Sequence, residues 1–307
     1  MAKVAVVFPG QGSQYVGMGA AWCEASPKAK EVFDLAGEAS GLPLAKLCFE
    51  GPMEELTRTV NLQPSIIAVD LCCWLGLQEA GCKPFAVAGH SVGEYAALAA
   101  AGALSFSDCL KLISLRGRLM DRDAQANPGA MSAIMGATPE TVAALCAQID
   151  GQVQPANYNT PAQTVITGST EAVAEAGALA KKQGLKAIPL KVSGAWHSPL
   201  IAEAGKDMAA ALAEVEFATP GCLHVPNTTG EPTNDPGVIK AELMKQLTAP
   251  VRWVQTIEAL LAQGVDTFIE AGPKKVLAGL IKKTAPARTT VLNLQEPGDL
   301  DQIAEAL

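Results

Sequence analysis

Hydrophobic and polar positions along the chain follow two alternating patterns. Lys3–Phe8, which is apolar after its lysine, and Phe85–Ala88 are short apolar runs, as expected for strands buried on both faces of a parallel sheet. Pro27–Ser40 carries apolar residues at helical spacing, and Leu62–Gly81 is a long, almost wholly apolar helix that ends at a glycine. This succession predicts an α/β fold with a parallel sheet.

The same alternation returns in the C-terminal third. Lys240–Leu247 and Val254–Gln263 are predicted helices, and Val265–Glu270 is a buried strand. A helix over Lys274–Lys283 and a final strand over Thr290–Leu294 complete the pattern.

Between residues 129 and 191 the order changes to strand, helix, two strands, helix and strand. The predicted elements are Ala130–Met135, a helix capped near Thr138, Val153–Tyr158, Gln163–Thr167, Glu171–Gln183 and Leu185–Leu190. The order βαββαβ is typical of a small ferredoxin-like unit. We therefore predict that residues 126–191 form a small subdomain inserted into a large α/β subdomain made of residues 1–125 and 192–307.

Ser107–Arg122 predicts an amphipathic helix with Ser107 as its N-terminal cap. Arg116 falls in the middle of its apolar face, whereas Arg118 falls on the polar face. A guanidinium is costly to bury without a partner, so Arg116 needs an anion or a carbonyl. Helix geometry leaves two alternatives open, a structural ion pair and a bidentate grip on a substrate carboxylate.

The stretch Phe85–Gly102 predicts a strand, a tight glycine turn and a helix. Its Gly89-His90-Ser91-Val92-Gly93 has the GxSxG pattern of a nucleophile elbow, where a serine sits on a strained bend at a helix N-terminus. The alternative is an ordinary glycine-rich turn. The flanking strand and helix favour Ser91 as a nucleophile, so the large subdomain is predicted to resemble an α/β-hydrolase.

The chain has three histidines. His90 is too constrained inside the turn to act on its neighbour, and His224 lies in a strand-like run typical of a core residue. His197 lies in a Gly/Ser/Pro loop after a predicted strand, where active-site bases are commonly found. By elimination, His197 is the candidate base for Ser91.

Composition limits the class of protein. The 307 residues are 49% hydrophobic with a net charge of −8, which is typical of a globular enzyme and makes nucleic acid an improbable partner. The eight cysteines form no CxxC pair, so we expect buried thiols in a reducing cytoplasm and no metal site. No signal peptide is predicted. The longest apolar stretch, around Tyr95–Leu104, is too short to cross a membrane.

A serine with a histidine base indicates acyl transfer through an acyl-enzyme, with either water or a thiol or alcohol as acceptor. An α/β-hydrolase would carry its histidine close to the C-terminus and an HGGG-type loop. Here His197 lies far from the C-terminus, and the glycine turn PGQGSQ (Pro9–Gln14) follows the first strand instead. Both features weaken the esterase or thioesterase alternative.

A set of motifs in fixed order resembles one known family over essentially the whole chain. The motifs are PGQGSQ (Pro9–Gln14), Gln63-Pro64, GHSVGEY (Gly89–Tyr95), LRG (Leu115–Gly117), GAM (Gly129–Met131), ANYNTPAQTVITG (Ala156–Gly168), the His197 loop, QLTAPVRW (Gln246–Trp253) and EAGPKKVL (Glu270–Leu277). They resemble the malonyl-CoA:acyl carrier protein transacylases of bacterial type II fatty acid synthesis. The malonyl-transferring domains of polyketide synthases and of malonate decarboxylase are the nearest alternatives.

The resemblance implies a role for each matched position. Ser91 would be the nucleophile and His197 the general base and acid, oriented by the main-chain carbonyl at Gln246. Backbone N–H groups of Gln11 and Val92 would form the oxyanion hole. Arg116 would bind the free malonyl carboxylate, and the remaining matched positions, Gln63, Asn157 and Asn159, would line the cleft.

The resemblance also implies the reaction and its partners. Malonyl-CoA would acylate Ser91, and the phosphopantetheine thiol of acyl carrier protein would accept the malonyl group, with no bound cofactor. We expect a monomer without a membrane partner. The carrier-protein surface would be basic; its candidate residues are Lys274, Lys275, Lys282, Lys283 and Arg288.

Overall fold

The computed structural model describes residues 2–305, which fold around two β-sheets. The strands are β1 (Val4–Phe8), β2 (Ala86–Gly89), β3 (Gly129–Met135), β4 (Val153–Thr160), β5 (Gln163–Ser169), β6 (Lys186–Pro189), β7 (Leu223–His224), β8 (Thr267–Ala271) and β9 (Thr290–Leu294). The helices are α1 (Ala20–Ala25), α2 (Pro27–Ser40), α3 (Leu44–Glu50), α4 (Met53–Thr57), α5 (Thr59–Glu79), α6 (Gly93–Ala100), α7 (Phe106–Ala126), α8 (Pro139–Cys146), α9 (Thr170–Lys182), α10 (Ala202–Ala213), α11 (Pro236–Leu243), α12 (Trp253–Ala262), α13 (Val276–Thr284) and α14 (Leu300–Ala304).

The larger sheet is parallel, with the strand order β7-β2-β1-β8-β9. Both of its faces are covered, and successive residues of β1 enter different cores. Val6 packs with the core of α5, α6 and α7, whereas Val7 packs with the core of α12 and α13. The loops after β1 and β2 leave from the same edge of the sheet, because these neighbouring strands are parallel. That edge carries the candidate site.

The smaller sheet is antiparallel, with the strand order β4-β5-β3-β6 and its own core against α8 and α9. Two backbone hydrogen bonds join it to the segment before α12. The N–H of Tyr158 donates to the carbonyl of Val251 at 2.9 Å, and the N–H of Val251 donates to the carbonyl of Ala156 at 2.8 Å. The predicted α/β architecture is confirmed at the level of one parallel and one separate antiparallel sheet.

Several predicted boundaries differ from the structure. Ser105, not Ser107, caps α7, because Ser105 is extended and its Oγ accepts the N–H of Asp108 at 3.0 Å. Asp235 and Pro236 start α11 earlier than predicted, so the helix expected over Lys240–Leu247 ends at Leu243. The hydrophobic pattern did not predict α3 or α10.

α5 is the longest apolar segment of the chain. The prediction that the longest apolar stretch lies around Tyr95–Leu104 is wrong. By length and composition α5 could cross a membrane, but 89% of its most apolar window is buried inside the protein. Its residues contact α2, α6 and α7. In this fold α5 therefore acts as a core helix.

A buried acid lies on α5 close to Gly272, the residue that follows β8. Asp70 is fully buried, and neither of its carboxyl oxygens has a hydrogen-bond partner within residues 2–305. Burial raises its pKa well above the usual value, and the charge of Glu270 adds to this shift. Glu270 accepts the N–H groups of Leu277 and Ala278, so Glu270 is the better placed of the two acids to carry the charge. Of the two acids, we therefore expect Asp70 to keep its proton in the folded protein.

Asp70→Asn is expected to make thermal stability less dependent on pH. The unfolded chain releases the Asp70 proton above pH ~4, whereas the folded chain retains it, so the parent loses stability as pH rises above that value. Asparagine has no proton to release. Melting temperatures at pH 5, 6.5 and 8 test this, with the exposed Asp34→Asn on α2 as the control. Parallel pH profiles for Asp70→Asn and the parent would contradict it.

Candidate active site

The turn between β2 and α6 holds Ser91 in a conformation that side chains rarely adopt. Its φ is 53°, in the left-handed region. A Cβ at Gly89 would lie 2.0 Å from the backbone of Gly93, so this approach requires glycine. Side chains from two distant segments stabilise the turn: the N–H of Ser91 donates to Asn227 Oδ1 at 2.7 Å, and its carbonyl accepts from Gln246 Nε2 at 2.8 Å.

His197 lies against Ser91, as the elimination among the three histidines predicted. The Ser91 hydroxyl donates to His197 Nε2 at 2.8 Å. On the other side of the ring, Nδ1–H donates to the carbonyls of Gln246 and Ala249, each at 3.0 Å. Two main-chain acceptors at Nδ1 fix the tautomer that leaves Nε2 free to take the serine proton.

Arg116 is fully buried and reaches the same serine. Its Nη2 donates to Ser91 Oγ at 3.2 Å and to Gln246 Oε1 at 3.0 Å. Its Nε and Nη1 donate to no acceptor in the described chain, and no carboxylate of residues 2–305 forms an ion pair with it. The structural ion pair considered for Arg116 is therefore not formed within the described residues, and two buried donor nitrogens of this side chain have no protein acceptor there.

These groups open into a cleft of about 90 Å³. Its lining residues are Gln11, Gln63, His90, Ser91, Val92, Arg116, Met120, Met131, Asn157, Leu190, Val192, Trp196 and His197. The backbone N–H groups of Gln11 and Val92 donate to no acceptor within residues 2–305. Both residues therefore line the cleft with main-chain amides that have no protein partner in the described chain.

Three of the remaining predicted residues differ in their positions. Gln63 and Asn157 line the cleft, and Gln63 Nε2 donates to Met120 Sδ at 3.1 Å. Asn159 does not line it: its Oδ1 accepts from His90 Nε2 at 2.9 Å. The prediction for Asn159 is wrong: in a regular strand Asn159 would share a face with Asn157, but the pairing of β4 with β5 is irregular between Tyr158 and Thr160, and Asn159 contacts His90 instead.

Comparison with known proteins identifies the family to which this chain belongs. Residues 5–299 match the acyl transferase domain. The chain belongs to the acyl transferase domain family. It is thus an acyltransferase, and the resemblance drawn from its motifs is confirmed.

The relatives cover the whole chain. The malonyl CoA-acyl carrier protein transacylase of Bacillus subtilis (strain 168) is 40% identical, over 100% of this chain and 98% of its own. An acyl carrier protein S-malonyltransferase from Vibrio cholerae superposes with a TM-score of 0.92 at 41% identity, covering 98% of this chain and 100% of its own. A malonyl-transacylase solved in complex with a type II PKS acyl-carrier protein gives 0.94 at 36% identity, with 100% of both chains covered.

Two residues of the candidate site, Asn227 and Glu94, were assigned no role in the sequence analysis. Asn227 follows β7 and binds both the Ser91 amide and, through Nδ2, the carbonyl of Gly89 at 2.6 Å. Glu94 was quoted within GHSVGEY but received no role, although it is a carboxylate with 1% exposure. Its position one turn beyond the serine was the only signal, and spacing alone does not tell a buried acid from an exposed one.

The environment of His197 keeps its ring neutral. Burial lowers the pKa of His197 to about 3, the Arg116 charge acts in the same direction, and the hydrogen bonds to Gln246 and Ala249 oppose the shift. Because a base must be unprotonated, His197 is ready to act over the whole neutral range.

We accordingly expect the rate of Ser91 acylation to change less than about threefold between pH 8 and pH 5. A histidine with the usual pKa of about 6.5 would lose roughly 30-fold over the same range. Rapid-mixing measurements of acyl-enzyme formation, kept short to avoid acid unfolding, would show the difference. A fall centred near pH 6.5 would mean that His197 is far better solvated than the structure indicates.

Proposed function

We propose that the acyltransferase moves a malonyl group from malonyl-CoA to the phosphopantetheine thiol of acyl carrier protein, through a malonyl ester on Ser91. The observation that carries this proposal is the buried Arg116 beside Ser91 Oγ, with Nε and Nη1 unpaired. A malonyl group has one thioester carbonyl for the serine and one free carboxylate for the guanidinium. The curated relatives named above as malonyl transacylases support the same substrate.

In the first half-reaction, His197 Nε2 takes the Ser91 proton as Oγ attacks the thioester carbonyl. The N–H groups of Gln11 and Val92 stabilise the oxyanion. The C–S bond then breaks, and the CoA thiolate takes the proton from His197. The helix N-terminus behind the serine adds favourable electrostatics, since α6 begins at Gly93.

The second half-reaction runs these steps in reverse with a new thiol. His197 removes the proton of the phosphopantetheine thiol, whose sulfur attacks the ester carbonyl. The C–O bond breaks and Ser91 Oγ regains a proton from His197. The ester survives to this point because the cleft is narrow and His197 is 3% exposed, so water has little access to the ester.

The geometry supports the two-part architecture and the nucleophile elbow as parts of this proposal. The left-handed Ser91 between β2 and α6 has the conformation that an elbow requires. Residues 126–191 form the ferredoxin-like subdomain of the proposal, supported by the strand order β4-β5-β3-β6, and residues 1–125 and 192–307 form the large one. The cleft receives side chains from both parts, for example Met131 and Ser91.

The carrier protein supplies the acceptor thiol. The solved relative in complex with an acyl-carrier protein supports this partner. On this chain the basic candidate surface on and beside α13 is exposed (Lys274, Lys275, Lys282, Lys283 and Arg288). α13 follows β8, which ends at the sheet edge that carries the cleft. All eight cysteines are free thiols, which supports the expected reducing, cytoplasmic location.

Intact-mass measurement after brief mixing with malonyl-CoA tests the proposal. A malonyl adduct should form, should be absent in Ser91→Ala, and should disappear when acyl carrier protein with its phosphopantetheine arm is added. The malonylated carrier protein is the product to detect. Release of free malonate at the same rate with or without the carrier would favour the esterase alternative, and absence of any adduct would refute the ester intermediate.

A further inference from the structure

A buried carboxylate outside the reacting groups connects three segments behind the nucleophile. Glu94, in the first turn of α6, accepts three hydrogen bonds. Its Oε1 accepts from His224 Nε2 at 3.1 Å, and its Oε2 accepts from the N–H of Asn227 at 3.3 Å and from Gln246 Nε2 at 2.7 Å. These three partners do not react with the substrate. The malonyl-transfer steps described above therefore give Glu94 no role.

The contact with Gln246 decides how that side-chain amide is oriented. Gln246 Nε2 donates to two acceptors, Glu94 Oε2 and the carbonyl of Ser91. The amide oxygen is thereby turned toward Arg116, whose Nη2 donates to it at 3.0 Å. With the amide reversed, its NH₂ would face the guanidinium, and two sets of donors would meet without an acceptor.

The amide contact fixes the guanidinium, because Arg116 has only two acceptors within residues 2–305. They are Ser91 Oγ and Gln246 Oε1, and both bind the same nitrogen, Nη2. Holding Nη2 leaves Nε and Nη1 as the two unpaired donors. Burial lowers the pKa of Arg116, and the neighbouring Tyr95 and, after it, the Glu94 carboxylate oppose that shift.

We propose that Glu94 is a positioning residue for acyl selectivity: it orients the Gln246 amide, which in turn fixes Arg116 so that its free N–H groups meet the substrate carboxylate. The inference rests on the proposed malonyl-transfer function. The base is independent of this path, because His197 is held by the main-chain carbonyls of Gln246 and Ala249. Glu94 should therefore affect recognition of the malonyl group more than the orientation of the base His197.

Glu94→Ala tests the proposal, with Glu94→Gln as the conservative variant. In Glu94→Ala the Gln246 Nε2 group loses one of its two acceptors, so KM for malonyl-CoA should rise about tenfold, the scale of a lost hydrogen bond to a charged group. Transfer from acetyl-CoA, which presents no carboxylate, should keep its slow rate. In Glu94→Gln the new amide oxygen still accepts from Gln246 Nε2, so the malonyl-to-acetyl ratio should recover to within about threefold of the parent.

A double-mutant cycle separates positioning from a structural role. Gln246→Met removes the amide but keeps the main-chain carbonyl that binds His197, and should reproduce the loss of selectivity. Glu94→Ala added to Gln246→Met should then change the malonyl-to-acetyl ratio by less than about twofold, because both changes break one path. If Glu94→Ala does not fold, Gln246→Met and Glu94→Gln still test the same contact.

Each possible result leads to a different conclusion about Glu94 or about the proposed function. An equal fall in kcat for both thioesters, or additive effects in the cycle, would overturn the positioning role while leaving the proposed function intact. If the parent itself forms no malonyl ester, the proposed function fails and the inference fails with it. A selective rise in the malonyl KM with rescue by Glu94→Gln supports the proposal.

Discussion

Replacing His197 by asparagine is expected to slow the acylation of Ser91 by about 10⁴-fold, the upper range for loss of a general base. Asparagine is the variant to use because His197 has φ 59°, and asparagine tolerates this left-handed conformation better than alanine. Its amide can still donate to a main-chain carbonyl but has no lone pair basic enough to take the serine proton. Quenched-flow measurement of the malonyl ester gives the rate directly.

The substrate affinity of His197→Asn provides the internal control. Arg116 and the amides of Gln11 and Val92 remain, so KM for malonyl-CoA should change little while kcat falls. Melting temperature checks that the loop has kept its fold. A loss of less than about tenfold would mean that another group serves as the base.

Replacing Arg116 by alanine is expected to remove the preference for malonyl-CoA. Loss of one partner from a buried, hydrogen-bonded charge pair costs about 3 kcal/mol, or roughly 100-fold in kcat/KM. Acetyl-CoA should react no more slowly than with the parent, because its methyl group leaves the parent's guanidinium buried and unpaired. The variant should fold, since it removes a buried charge that has no carboxylate partner in the described chain.

Arg118→Ala is the matched control. Arg118 lies on the same helix but is exposed, so its loss should leave both thioester rates unchanged. Arg116→Lys is the informative intermediate: it keeps the charge but loses the planar fork, and we expect only partial recovery of the preference. Unchanged selectivity in Arg116→Ala would refute the carboxylate-binding role.

The sequence singled out the candidate reacting groups because each carries a local signal. Ser91 is marked by glycines two positions before and two positions after it. The close approach of Gly89 to Gly93 requires a residue without a side chain there. Arg116 is marked by its place on the helical wheel, and the structure buries it fully. His197 followed from there being few histidines and from its loop position. These features depend on residues within one turn or one loop.

Predictions that depended on distant contacts were weaker. Asn159 shares a motif with Asn157, yet only Asn157 lines the cleft, since the other asparagine contacts His90. Asn227 carries no motif at all, although it binds the Ser91 amide across 136 positions of the chain. Side-chain direction in an irregular strand, and the segment that meets it, depend on packing that no local pattern encodes.

The sequence by itself determined the alternation of strands and helices, the glycine turn that bears Ser91, and the buried cation on α7. Only the tertiary structure decided what those groups touch. It brought Gln246 into contact with Ser91, Arg116 and Glu94, although Gln246 lies 130 positions from Arg116 and 152 from Glu94 along the chain. The physical reason is that periodicity and turn chemistry act over a few residues, whereas the pairing of buried polar groups depends on how the whole chain packs.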